Sequence, residues 1–243
     1  MKMNSKYFAS SIAAFLIVAL TAVYWNHFDN GFHFDDSHTI VNNGYIKDIG
    51  NIPLIFQDAK TTSSLPTNQA YRPMITSLNT IDFWITGSLN PNVFHWHIYL
   101  EFLLLLGLLF LFMLKLFEKA DGKKHYLLAV LGTGFFAFHT ATAETINYII
   151  ARSDGFSTLM VLISAIAYVN GTGWRKQLAL VPFIIGCLAK PTTLMLAPIL
   201  FLWDLLLENP SFFVKNEKAK VLPKIASSLK GTISFFMVGA GMY

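Results

Sequence analysis

The segment from Trp96 to Phe117 is apolar along its length and carries only two charged side chains, Glu101 and Lys115. About 20 such residues make a helix long enough to cross the hydrocarbon core of a bilayer. Hydrophobic residues make up 54% of the chain and charged residues 13%, whereas a water-soluble chain of this size needs more polar surface to cover its core. The sequence therefore predicts an all-α polytopic membrane protein.

Further apolar segments predict the other spanning helices. The expected spans are residues 7–25, 96–117, 126–139, 154–169, 178–189, 192–207 and an incomplete one at 232–243. The first span ends in Tyr24 and Trp25, as expected at a membrane interface, and this favours an uncleaved helix over a cleaved signal peptide. We expect the native sequence to continue past Tyr243, so that residues 1–243 form one partial transmembrane domain.

Residues 26–94 are rich in polar side chains and proline, and they form a predicted extracytoplasmic loop. Residues 49–56 and 74–85 place apolar side chains at helical spacing within this loop, which predicts short interfacial helices. The sequence contains one cysteine, Cys187, so an intramolecular disulfide is excluded.

The basic residues indicate how the chain is oriented in the membrane. Of the 18 Lys and Arg residues, only these fall on the side predicted to be outside: Lys47, Lys60, Arg72, Arg152 and Lys190. The rest lie on the opposite side, as the positive-inside rule requires. We therefore expect a cytoplasmic N-terminus, in a bacterial inner membrane or, for a eukaryotic chain, the endoplasmic reticulum. The net charge of +4 follows from this topology and does not point to nucleic acid.

Asp35 and Asp36 follow the first predicted span directly, in the stretch Phe32–His38. Adjacent carboxylates repel each other, which raises the pKa of one of them and suits it to act as a general base. The same carboxylates with His33 or His38 offer oxygen and imidazole ligands to a divalent metal, so a metal cofactor is an open alternative. The structural alternative is an exposed turn, where aspartate is common.

Several cations fall at the same predicted membrane face. Arg72, stiffened by the proline that follows it, can bind a phosphate through two hydrogen bonds. The alternative is a surface arginine that precedes the start of a helix. Lys190 can hold a phosphate or extend to the interface. Another group of ionisable residues lies between two apolar segments and consists of His139, Glu144, Arg152 and Asp154. Ionisable groups at membrane depth pair with each other or face a polar cavity. A structural ion pair is therefore the alternative to a functional site for this group. If residues 144–154 are helical, Glu144 and Arg152 share a face.

These residues occur in one order that resembles a known family. The motifs are Phe34-Asp35-Asp36, Ile40-Val41-Asn42-Asn43, Tyr71-Arg72-Pro73-Met74, Phe94-His95, His139 with Glu144, Arg152 and Asp154, and the stretch from Lys190 to Asp204. Together they resemble the amino-terminal membrane half of the transmembrane-and-tetratricopeptide O-mannosyltransferases and their bacterial relatives. That family belongs to the GT-C glycosyltransferases, and the resemblance covers nearly the whole chain.

The resemblance implies an inverting enzyme that takes a mannose-like hexose from a polyprenyl-phosphate donor. The acceptor would be an extracytoplasmic hydroxyl, on a protein Ser or Thr or on a glycan. Asp35 and Asp36 correspond to the acidic motif of the family, and His139 and Glu144 to its His-Pro-x-x-x-Glu turn. Two departures lie in that turn, where the family's proline and second histidine are replaced by Thr140 and Thr142. The family's later helices and its tetratricopeptide repeats have no counterpart here.

The resulting hypothesis assigns a role to each polar group. A lipid phosphate is already a good leaving group, so the enzyme needs a base more than an acid. Asp35 or Asp36 deprotonates the acceptor, and Arg72, Arg152 or Lys190 stabilises the departing phosphate. His139, Glu144 and Asp154 support the site. The expected partners are the lipid-linked donor, the acceptor and membrane lipids. The alternatives are a non-enzymatic transporter or assembly subunit, and a relative that binds the lipid without transfer.

Overall fold

The computed structural model describes residues 5–208 and 221–242, and this part of the chain is helical without strands. The all-α architecture predicted from the apolar segments is therefore confirmed. Some residues used in the topology prediction lie outside the described ranges: Lys2, Lys215, Lys218, Lys220 and Tyr243.

Ten α-helices are found in the described ranges. They are α1 Ser5–Val23, α2 Ile52–Ile55, α3 Pro73–Thr86, α4 Pro91–Asp121, α5 Tyr126–Phe138, α6 Thr140–Asn147, α7 Arg152–Asn170, α8 Leu180–Cys187, α9 Leu196–Trp203 and α10 Val221–Met242. Five helical segments within those ranges are long and apolar enough to cross a membrane, and α5 with α6 make a sixth if their 61° bend lies inside one span. The protein is thus an integral membrane protein with several spanning helices.

Local signals explain the length of α4, which extends beyond the predicted span at both ends. The side chain of Asn90 accepts a hydrogen bond from the N–H of Asn92 at 3.1 Å, and Pro91 occupies the first helical position. Both features start helices. Gly122 ends the helix with a φ of 79°, a conformation that costs glycine little.

Two other helices differ from the predicted boundaries. The predicted span 178–189 is a 3-10 helix, Gly173–Ala179, followed by α8, which has 8 residues and is not one of the five candidate spans. Helix α10 begins at Val221, so Lys224 and Lys230 belong to it and not to the preceding loop. Lysine favours helix and can lay its aliphatic stem along an apolar surface. The helix can therefore begin well before residue 232, where the predicted span begins.

Helix α7 lies at the centre of the bundle. Of its apolar window, 56% is buried, compared with 17% for α4, and α7 packs against both α4 and α8. Tyr168 and Leu159 on α7 belong to the two largest buried clusters. A central α7 means that the residues at its N-terminus face several neighbouring elements at once.

Contacts between charged side chains define one end of the bundle. Lys119 at the end of α4 contacts Glu208 at 2.7 Å, and Lys176 after α7 contacts Asp204 at 3.0 Å. The end of α4, the turn after α7 and the end of α9 therefore lie together. The long loop after α1 lies at the opposite end, where it meets the beginning of α7.

Candidate functional site

A polar cavity of about 240 Å³ opens at the end of the bundle that carries the long loop. Residues from widely separated parts of the chain line it, and they include these charged side chains: Asp35, Arg72, Glu144, Asp154 and Lys190. All of them were candidates from the sequence. The fold thus brings five predicted residues into one enclosure that carries both signs of charge.

Asp35 enters the cavity from the loop after α1, and its side chain is 56% exposed. Its backbone N–H donates to the phenol oxygen of Tyr148 at 2.8 Å. One carboxylate oxygen lies 3.3 Å from Nε2 of His38, whose Nδ1 lies 2.9 Å from Oγ of Ser63. A His38 tautomer protonated at Nε2 would donate to Asp35 and accept from Ser63. The carboxylate is therefore both oriented and open to a ligand.

The backbone before Asp35 is strained. Phe34 has a φ of 44°, in the left-handed region that residues with a side chain seldom occupy. Its ring is 86% exposed and meets the ring of Tyr148 edge-on, with centroids 6.0 Å apart. Such strain persists where the surrounding structure enforces it, and it is concentrated at functional sites. Here it accompanies the outward turn of Asp35.

Asp36 points the other way and is fully buried. Its carboxylate accepts the backbone N–H of His33 at 2.9 Å and that of Ile150 at 3.0 Å. Burial raises the pKa of Asp36, and the two backbone N–H bonds oppose that rise. The Asp35–Asp36 pair is thus divided: Asp35 faces the cavity, and Asp36 holds the loop against the chain that leads into α7.

Arg72 lies just before α3, where Pro73 takes the first helical position. The carbonyl of Arg72 accepts the N–H groups of Ile75 and Thr76, which fixes the backbone at the cavity wall. Within residues 5–208 and 221–242, no carboxylate or other acceptor pairs with its guanidinium. Arg72 therefore brings a positive charge to the cavity that an anionic ligand can neutralise.

Lys190 and Asp154 form an ion pair at the cavity wall. The Lys190 side chain is 23% exposed and that of Asp154 is 44% exposed. Asp154 lies in the first turn of α7, where a carboxylate is favoured by the helix dipole. The two cations that line the cavity, Arg72 and Lys190, thus differ in their pairing, since Lys190 already has an acidic neighbour.

Arg152 lies elsewhere. Its side chain is 2% exposed, and it contacts the carboxylates of Asp82 on α3 and Glu101 on α4. The guanidinium Nε is 3.0 Å from Glu101, and His97 pairs with the other oxygen of Asp82. The hydrogen-bonding groups of Arg152 therefore tie three helices together, and Arg152 does not line the polar cavity.

A break in the helix explains this separation of Arg152 from Glu144. The shared face expected for the two residues requires one helix from 144 to 154, but α6 ends at Asn147 and a 3-10 turn, Ile149–Ala151, precedes α7. The condition for a shared face is therefore not met. The break leaves Glu144 exposed at the cavity and turns Arg152 into the bundle.

His139 caps the N-terminus of α6 and lines a different cavity. Its Nδ1 accepts the N–H of Ala141 at 3.1 Å, so the histidine itself caps the helix and the proline of the family motif is not needed for this start. The second cavity, of about 520 Å³, is lined on its α6 side by Thr140, Ala143 and Asn147. Helix α6 therefore separates the two cavities, with Glu144 on the other face.

The metal alternative does not fit the observed geometry. Among the residues that the structure describes, no three His, Cys, Asp or Glu side chains converge on one point. Asp36 uses both carboxylate oxygens for backbone N–H groups, and His38 is engaged with Ser63 and Asp35. His33, Asp35, Asp36 and His38 thus do not form a ligand set.

Two residues of this region were not among the sequence candidates. Tyr148 fixes Asp35 and lines the cavity, and burial raises the pKa of its phenol. Asp82 pairs with Arg152. The available signals were a tyrosine between two apolar segments and an aspartate inside the apolar stretch Ile81–Ile85, which requires a partner.

Comparison with known proteins shows distant similarity to one group. Protein O-mannosyl-transferase TMTC4 of Mus musculus is 28% identical over 159 residues, which is 58% of this chain and 20% of that protein. Protein O-mannosyl-transferase TMTC3 of Homo sapiens is 24% identical over 161 residues, or 65% and 17%. The Mus musculus TMTC3 is 22% identical over 173 residues, or 70% and 18%.

The matched segment therefore spans about a fifth of the length of these relatives. No protein-family model matches the chain, and no solved structure matches it. The similarity nevertheless confirms the resemblance seen in the ordered motifs. The chain is a distant relative of the TMTC-type protein O-mannosyl-transferases.

Proposed function

We propose that this chain is the membrane part of an inverting glycosyltransferase of the GT-C type, which moves a mannose-like hexose from a polyprenyl phosphate to an acceptor hydroxyl. The observation that carries the proposal is the cavity, which presents an exposed carboxylate, Asp35, together with two cations, Arg72 and Lys190. A base and a phosphate-binding group in one enclosure are what this transfer requires. The relatives are protein O-mannosyl-transferases, and this supports mannose as the sugar and a protein as the acceptor.

Asp35 acts as the general base in this proposal. Asp36 is buried and bonded to two backbone N–H groups, so an acceptor hydroxyl cannot reach it. Asp35 is exposed, and its backbone is held by Tyr148. A base must lie within hydrogen-bonding reach of the proton it removes, and of the two aspartates only Asp35 faces the space where an acceptor would sit.

The bonds and charges of the proposed transfer balance among the donor, the acceptor and Asp35. The acceptor oxygen attacks the anomeric carbon, and the bond from that carbon to the phosphate oxygen breaks, leaving its electron pair on the phosphate. The hydroxyl proton passes to the Asp35 carboxylate. Arg72 stabilises the second negative charge that appears on the lipid phosphate, because its guanidinium has no acidic partner of its own. Lys190, which is paired with Asp154, supplies a second positive charge at the cavity.

The orientation of the chain belongs to the same proposal. The described basic residues near the Lys119–Glu208 end include Lys115, Lys123, Lys124 and Lys176, whereas the cavity end holds few. The positive-inside rule then places the N-terminus in the cytoplasm and the cavity on the extracytoplasmic side. The donor lipid would reach the cavity from the outer leaflet.

A transfer assay tests the proposal. Membranes containing the protein, with any natural continuation of the chain, are incubated with a labelled polyprenyl-phosphate mannose and a protein acceptor. Asp35→Asn is expected to lower transfer by about 10²- to 10⁴-fold, because a general base contributes that much. Asp29→Asn removes an exposed carboxylate of the same loop outside the cavity and should leave transfer unchanged.

Each other outcome identifies a rival. Full transfer by Asp35→Asn would refute the catalytic assignment. Binding of the donor without any transfer would support a relative that retains the scaffold and has lost the chemistry. Neither binding nor transfer would support a transporter or an assembly subunit, for which ionisable residues near the bilayer midplane are the expected feature.

A further inference from the structure

One side chain in the cavity wall lacks the hydrogen bonds that a buried amide needs. Asn79 lies on α3, is 2% exposed, and lines the cavity. Its Oδ1 is fully buried without a hydrogen-bond partner, and no residue of the described ranges bonds its amide nitrogen. Burying an unsatisfied amide costs stability, so an unpaired Asn79 at this place points to a ligand.

The position of Asn79 on α3 relates it to Arg72. Residues three and four apart along a helix share a face, and the cavity side of α3 shows this spacing in Arg72, Ile75, Thr76 and Asn79. At 1.5 Å per residue, Asn79 lies about 10 Å along the helix from Arg72. That separation suits a phosphate at one end and the hydroxyls of one hexose ring at the other.

The chemistry of the carboxamide specifies the ligand. An amide group both donates and accepts hydrogen bonds, and a hydroxyl does the same. Rotation about the terminal torsion of Asn79 can present either end to the cavity. A phosphate, in contrast, only accepts, and it would leave the Asn79 oxygen unpaired.

We propose that Asn79 binds a hydroxyl of the donor hexose, so that the face of α3 from Arg72 to Asn79 forms a sugar-phosphate subsite. This inference rests on the proposed function, and it adds the sugar contact and its residue. Arg72 takes the phosphate near the mouth, and the deeper Asn79 selects a donor that carries a sugar over a lipid phosphate that does not.

The test compares two lipid probes with one negative charge each. One is farnesyl phosphoryl mannose, and the other is farnesyl methyl phosphate, which has the same tail and the same diester but no sugar. Both are titrated against the chain in detergent micelles. The wild type should bind the sugar-linked probe more tightly, and Asn79→Leu should lower that affinity about five- to tenfold, the loss expected for one or two hydrogen bonds. Binding of the methyl ester should not change.

A matched control lies on the same helix. Ser77 is also buried with an unpartnered hydroxyl, but it does not line the cavity, so Ser77→Ala should leave both affinities unchanged. Thermal unfolding is measured in parallel. Removing an unpaired buried amide should keep or raise the Tm, so lower sugar affinity with an unchanged Tm separates binding from structural damage. Asn79→Ala is used if the leucine variant fails to fold.

The outcomes are distinguishable. If the wild type binds both probes equally, the sugar subsite is refuted while a phosphate site at Arg72 stands. If the preference for the sugar-linked probe survives in both Asn79 variants, the assignment of Asn79 is refuted. If neither probe binds the wild type, the proposed donor site itself is refuted, and this inference is refuted with it.

Discussion

The phenol oxygen of Tyr148 accepts the backbone N–H of Asp35 across 2.8 Å. The bond joins the loop after α1 to the bend between α6 and α7. On the other side of the same loop, Asp36 accepts the backbone N–H of Ile150 at 3.0 Å. Two hydrogen bonds from adjacent loop residues thus hold the bend. Asp36 uses its carboxylate for this contact, whereas Asp35 uses its backbone N–H and keeps its carboxylate at the cavity.

Tyr148→Phe removes the acceptor for the Asp35 N–H and keeps the ring that contacts Phe34. We expect transfer to fall about tenfold, because small losses of alignment at a general base cost this much or more. The Tm should change little, since the freed N–H lies at an exposed position. Tyr45→Phe, on an exposed tyrosine of the same loop, serves as the control. Equal transfer rates for the two variants would show that Tyr148 does not position Asp35.

Asp36 should make stability depend on pH. Burial raises its pKa above the ordinary value of 3.8, so the folded chain binds this proton more tightly than the unfolded chain does. The free energy of unfolding should therefore be highest below pH 3.8, the pKa of the unfolded chain, and should fall as the pH rises from 3.8 through the raised pKa of the folded chain. The Tm of the wild type should fall over that window relative to Asp36→Asn, which cannot titrate. Parallel Tm curves for the two proteins would contradict the prediction.

Arg152→Met should damage the fold more than it damages ligand binding. Removing the guanidinium leaves Glu101 without its cationic partner and Asp82 with His97 alone, and breaking a buried pair in this way costs about 3–5 kcal/mol. The triple variant with Asp82→Asn and Glu101→Gln should recover most of the lost stability. Chemical denaturation of the three proteins measures this. A well-folded Arg152→Met protein that has lost only donor affinity would return Arg152 to the phosphate site.

The two cavity cations should contribute differently to the binding of a lipid phosphate. Arg72→Gln is expected to lower affinity for a farnesyl phosphodiester about tenfold, in the range of a charge-assisted hydrogen bond. Asp154→Asn should raise that affinity, because it releases Lys190 from its ion pair and makes the cavity more positive. Titration of the same probe against both variants and the wild type gives the order of their affinities. A decrease in affinity for Asp154→Asn would indicate that Asp154 is needed to position Lys190.

The membrane class and the candidate residues followed from local patterns. An apolar segment such as 96–117 has few alternatives to a spanning helix, and polar residues in the stretches between apolar segments are conspicuous because they are costly in a bilayer. Five of those residues meet in one cavity. Glu144 and Arg152 do not share a helix face, because a helical period applies only within one unbroken helix, and this helix ends at Asn147.

The sequence by itself determined that the chain is a bundle of membrane helices with its polar groups concentrated beside one long loop, since hydropathy and charge act along the chain. Only the tertiary structure decided which polar groups meet. Arg72 and Arg152 are equivalent cations in the sequence, yet packing of α3, α4 and α7 gives Arg152 two carboxylates and leaves Arg72 at the cavity. The physical reason is that charge pairing depends on distances across the bundle, which no local pattern records.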